Sequence, residues 1–184
     1  MCIRDRQSTT FEVHLIIPHQ ALAYQTNQTT VMITPHKEGA RTAQIQLNTL
    51  VTPHHTHQAS INTQTQSAPA GTTVPYKLNI TNTGNISDTY QIAVRGNNWP
   101  TTIGEKQVMP LTETILGPLT IAEIMPVTLF VDIPTDAQPG EADQATLTIT
   151  SQTDTDQQTV LILETFEGVR APGVHRVFIP FAWK

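Results

Sequence analysis

The chain has 184 residues, 10 Lys and Arg against 15 Asp and Glu, a formal net charge of -5 and a pI near 5.7. Ten scattered cations exclude the clustered phosphate contacts that nucleic-acid binding needs, and they disfavour a membrane surface for the same reason. Only 14% of residues are charged, while 31 are Thr and 16 are Gln, so the polar surface is uncharged and suited to strands rather than helices.

Residues 1–6 read MCIRDR, the pattern of a translated adapter scar, and are set aside from fold reasoning. Cys2, the one cysteine, goes with them, so neither a disulfide framework nor a thiol site is expected. On this reading the true amino terminus, with any signal peptide, lies upstream.

Phe11, Val13, Leu15 and Ile17 alternate with period two and announce a strand. The same segment opens an internal repeat: sliding the chain by 116 positions lays Phe11–Leu50 on Val127–Phe166 without a gap. Pro18 then falls on Pro134, Ala21 on Ala137, Gln28 on Gln144, Ile33 on Ile149 and Leu47 on Leu163, with apolar character kept at Phe11/Val127, Val13/Leu129, Leu15/Val131 and Ile45/Leu161. That period suits a sandwich of about 100 residues and not a solenoid. Residues 7–52 are accordingly expected to be the C-terminal strands of a truncated module, unstable alone because half its core is open, and residues 59–167 a complete one.

Between them lies a His-rich linker, residues 53–58, where His54, His55 and His57 are weak candidates for a metal site. Imidazole is the commonest ligand for zinc or nickel, but no Cys or carboxylate stands at ligand spacing, so an exposed linker without metal is the expectation.

In the second module a first strand is expected near Ile61–Gln66. Val74, Tyr76, Leu78 and Ile80 form the next, followed by the turn Asn82-Thr83-Gly84-Asn85, in which Gly84 is expected to use its freedom at positive φ. Tyr90, Ile92 and Val94 alternate again. A less regular stretch runs from Trp99-Pro100 to Gly117-Pro118. The cleanest strand, Val127 to Ile133, is stopped by Pro134, and Ala145–Ile149 and Thr159–Leu163 follow around a polar turn. No 3.6-residue stripe occurs, and thirteen prolines interrupt helical candidates. The fold class is therefore all-β, an immunoglobulin-like β-sandwich of roughly seven strands preceded by the last strands of a similar module. No stretch approaches the roughly 18 apolar residues of a membrane-spanning helix.

The runs GTTVPYKLNITNTGNISDTYQIAVRGNNWPT (Gly71–Thr101) and VTLFVDIPTDAQPGEADQATLTITSQTD (Val127–Asp154) resemble the immunoglobulin-like repeats found beside catalytic domains in bacterial secreted proteins. Among these are alpha-galactosidase-associated domains and modules trailing subtilisin-like peptidases. The resemblance covers about Ala59 to Phe166 and implies a non-catalytic spacer, stabiliser or adhesive surface, secreted or at the cell surface, with no cofactor and with upstream domains of the same polypeptide as partners. The tail 168–184, ending HRVFIPFAWK (His175–Lys184), resembles a short ending that closes many large exported proteins of environmental bacteria; an apolar tail packed on the sandwich is the other reading.

Candidate chemistry is thin. Trp99, after Asn97-Asn98, is the one ligand candidate, since an exposed indole stacks on sugars, although an indole in this family-like position more often plugs one end of the core. Asp132, Asp136, Glu141, Asp143, Asp154 and Asp156 gather in loops, but their spacing matches no calcium loop and solvated carboxylates are expected. No Ser or Thr sits in a G-x-S-x-G elbow. The expectation is that the chain is not an enzyme but an accessory module. The alternatives are a carbohydrate or cell-wall-binding sandwich using Trp99, and the C-terminal fragment of a secreted peptidase or glycosidase whose catalytic domain lies upstream.

Overall fold

The structure is a computed structural model and describes residues 10–34, 41–104 and 111–168; the expectations for residues 1–6 and for the His175–Lys184 tail lie outside these. The described residues form eleven strands and no helix. They divide into two compact units, Met1–Pro53 and His54–Lys184.

In the first unit β1 (Thr26–Ile33) and β2 (Ala43–Leu50) make an antiparallel hairpin in which Thr26 pairs with Leu50 and Ile33 with Ala43. Residues 11–17, expected as a strand, join no ladder among the described residues. Their counterpart in the second unit shows why: it pairs with strands that have no equivalent among the described residues of the first unit.

The second unit is a sandwich. One sheet has the order β3 (His57–Ile61), β5 (Thr73–Asn82), β9 (Ile124–Asp132), β7 (Thr101–Ile103). The other has the order β4 (Thr65–Ala68), β11 (Gln158–Glu167), β10 (Ala142–Ser151), β6 (Asp88–Arg95), β8 (Glu113–Leu119). The first sheet follows the A-B-E-D order, and β6, β10 and β11 the C-F-G order, of an immunoglobulin-like sandwich. The expected first strand is in fact two: β3 pairs antiparallel with β5, then the chain crosses over and β4 pairs parallel with β11. The irregular stretch holds two further strands, β7 beside β9 and β8 beside β6, with a register shift between Asp88 and Tyr90.

Alternation decides which side chains enter. Val74, Tyr76, Leu78 and Ile80 of β5, Tyr90, Ile92 and Val94 of β6, Leu129 and Val131 of β9, and Leu147 and Ile149 of β10 form one buried cluster between the sheets. The Tyr76 hydroxyl, buried in that core, donates to the Glu164 carbonyl at 2.7 Å and lies 2.9 Å from Thr165 Oγ1. These bonds satisfy the polar end of the ring within the core, and burial raises its phenol pKa.

Candidate functional site

The sequence candidates fall at opposite ends of the sandwich, because β6 runs from Asp88 at one end to Arg95 at the other while β10 runs antiparallel to it. At the first end, His54 is exposed but His55, Thr56 and His57 are half-buried, and the segment is bonded to the sandwich rather than a free linker. The His54 amide donates to Asn85 Oδ1 at 2.7 Å, the Asn85 amide donates to the His54 carbonyl at 3.0 Å, and the Thr83 and Gly84 amides both donate to the Thr56 carbonyl. The Asn82-Thr83-Gly84-Asn85 turn thus grips the chain as it leads into β3. Gly84 is required here for space rather than for backbone freedom. It is not among the residues with positive φ, but a Cβ at this position would stand 2.3 Å from the His54 carbonyl oxygen. Asn82, fully buried, completes the turn by donating to the Ile86 and Leu119 carbonyls and accepting from the Gly84 amide.

Beneath this turn lies a buried carboxylate, Asp88. It accepts from the Ser151 hydroxyl at 2.6 Å, the Thr153 hydroxyl at 3.0 Å and the Thr89 amide at 2.8 Å. His55 Nδ1 stands 3.4 Å from its Oδ2, an ion-pair distance. Ser, Asp and His are therefore together, but in the wrong order for acyl transfer. A nucleophilic triad places the imidazole between hydroxyl and carboxylate, whereas here the carboxylate lies between the other two. Ser151 has no accessible surface, and its oxygen also accepts the Thr153 and Asp154 amides. The group is a structural knot that closes the end of the sandwich.

His57 sits against the core, its ring edge-on to Tyr90 with centroids 5.1 Å apart. Neither of its nitrogens meets hydrogen-bond geometry. Burial lowers its pKa, against the opposing pull of the Asp88 charge and of the Ile149 carbonyl. Burial, helped by the Asp88 charge, also pushes the Tyr90 phenol up to about 12. His55 and His57 both lie near Asp88, while His54 is exposed on the approach to β3. No group of three or more His, Cys, Asp or Glu side chains able to hold a metal ion occurs among the described residues.

At the opposite end Trp99 is 4% exposed, and its indole belongs to the core cluster. It offers no ring face for a sugar. Its turn is held by Asp143, itself buried, which accepts from the Asn98 amide at 2.8 Å, Asn98 Nδ2 at 3.2 Å and the Trp99 amide at 3.3 Å. Two of the other loop acids accept bonds at the exposed surface: Glu141 from the Gln138 amide and Asp154 from the Asp156 amide. Nothing in the sequence singles out Asp88, and Asp143 reads there as a solvated loop carboxylate; only the amides and hydroxyls that the fold aims at them show otherwise.

Fold and site together define an immunoglobulin-like β-sandwich whose buried polar residues Asn82, Asp88, Asp143 and Ser151 bond to its own loops and strands. No family model and no curated protein matches the sequence. Among solved structures, a family 123 glycoside hydrolase from Clostridium perfringens is similar at 10% identity and TM-score 0.44 over 61% of this chain, which spans 27% of that enzyme's chain. A conjugative transposon lipoprotein from Bacteroides eggerthii is similar at 13% identity and TM-score 0.43, over 59% of this chain and 95% of that one. A human PapD-like domain is similar at 13% identity and TM-score 0.40, over 74% of this chain and 99% of that one. None of these likenesses assigns an activity.

Proposed function

We propose that the chain is a non-catalytic accessory part of a larger exported or cell-surface protein, in which sandwich modules space or stabilise domains that carry the activity. The observation that supports this best is how the buried polar residues are used. Asp88, Ser151, Asn82, Asp143 and Thr165 each bond to a loop or strand of the same unit, so the groups that elsewhere perform chemistry here close the two ends of a filled core. The internal repeat supports the tandem arrangement, and the resemblance carried by Gly71–Thr101 and Val127–Asp154 supports the exported setting. The test is to incubate the full chain with panels of peptide and glycoside substrates and to probe it on a broad glycan array. The reading expects neither turnover nor saturable binding; hydrolysis that survives purification and disappears in Asp88→Asn would overturn it.

A further inference from the structure

The two hairpins are built to one pattern. Adding 116 to every partner in the β1–β2 ladder gives eight of the nine pairs of the β10–β11 ladder: Thr26↔Leu50 becomes Ala142↔Phe166, and Ile33↔Ala43 becomes Ile149↔Thr159. The approach to the hairpin repeats as well. The Leu22 amide is capped by Gln25 Oε1 as the Gln138 amide is by Glu141 Oε2, the Tyr24 amide bonds Val51 as the Gly140 amide bonds Glu167, and Tyr24 takes a positive φ of 65° where Gly140 has 81°. A non-glycine residue holding that backbone shows how strongly the pattern is imposed.

The hairpins differ in what covers them. Phe11, Val13, Val31, Ile45 and Leu47 line an apolar groove in the first unit. Their counterparts Val127, Leu129, Leu147, Leu161 and Leu163 pack in one cluster with Tyr76, Leu78, Tyr90 and Ile92 from β5 and β6. Phe11 is 53% exposed where Val127 is 8%, and Val13 is 43% where Leu129 is 0%. Sandwich interiors are close-packed, and an apolar face of this extent calls for a partner.

We propose that this groove is the seat of a half-sandwich equivalent to β3–β8 (His57–Leu119), contributed by the same polypeptide ahead of Thr10 in a longer form. The occupant is specified by the second unit: two strands with alternating apolar residues in the places of Val74–Ile80 and Tyr90–Val94, one of which turns residues 11–17 into a paired strand, as β5 does for β9. The proposal rests on the accessory-module reading only for the tandem arrangement.

The test is a segment exchange within the full chain. Phe11–Val51 replaces Val127–Glu167, in the same frame and at the same length, so that the second unit is closed by the first unit's strands. A gentler variant exchanges only the hairpin, Thr26–Leu50 for Ala142–Phe166. The control inserts Glu12–Thr52, a one-residue slip that turns every apolar side chain to the wrong face. At least one in-frame exchange is expected to keep the amides of Val74–Ile80 protected from hydrogen exchange about a hundredfold above the control. The proposal is overturned if both in-frame exchanges are as unprotected as the control, or if the control is equally protected. Turnover or glycan binding would remove the accessory reading and leave this result untouched, so the two fail separately.

Discussion

At the scale of single residues, the buried polar groups make the sharpest statements. The lowered pKa of His57 means that the unfolded chain takes up its proton first as pH falls. Its contribution to stability is therefore complete above about pH 6.5 and is lost on acidification below that value. Urea unfolding should show a lower midpoint at pH 5.5 than at pH 7.5, and His57→Phe, which keeps the ring against Tyr90 and removes two nitrogens that fall outside hydrogen-bond geometry, should flatten that difference. The substitution should add roughly 1 kcal/mol at pH 7.5; an unchanged acid slope would show that another group sets it. Asp143→Ala strips three donors of their acceptor and should cost roughly 2 kcal/mol. With Trp183 replaced by Phe, so that Trp99 is the remaining indole, the same substitution should shift fluorescence to the red as the 97–100 turn loosens.

At the scale of elements, the turn that grips His54–Thr56 depends on the missing side chain at position 84. Gly84→Ala forces the His54 carbonyl to retreat from a Cβ that would lie at 2.3 Å, and amide exchange at His54, Thr83 and Asn85 should accelerate together while β10 stays protected. Leu147→Ala empties a fully buried site between the sheets and should cost about 3 kcal/mol, a large share of the stability of an ordinary domain. Strands β5, β6, β9, β10 and β11 were legible because each buries one face, so their apolar residues come at every second position. β7 and β8 were not, since β7 buries Thr101 and Thr102 beside Ile103 and β8 is an edge strand holding Gly117-Pro118. The division of the first strand into β3 and β4 was equally hidden, because a crossing between sheets leaves no mark in hydropathy. The His-rich segment reads as a polar linker, yet its backbone is what the neighbouring turn bonds to, and backbone partners are invisible to composition. Trp99 was legible as an aromatic that plugs the core, but the partner that holds its turn was not, because the carboxylate that folds it inward lies 44 residues away in sequence.

At the scale of the whole molecule, the 116-residue repeat was readable from identities and in-phase apolar positions, and its ladders agree residue for residue. What the repeat could not convey is pairing: residues 11–17 alternate as cleanly as β9 but join no ladder among the described residues, and a strand exists only where a neighbour accepts its hydrogen bonds. The second unit holds a single core cluster, whereas the first keeps Phe11, Ile17 and Ile45 about half exposed. One chain should therefore contain two very different stabilities. The most direct measurement is native-state hydrogen exchange on the full chain, followed amide by amide. Strands β5, β6, β9 and β10 should share one high opening free energy, while β1 and β2 exchange far faster through a separate, local opening. Equal protection of both hairpins would contradict the claim that only the second unit is a closed sandwich.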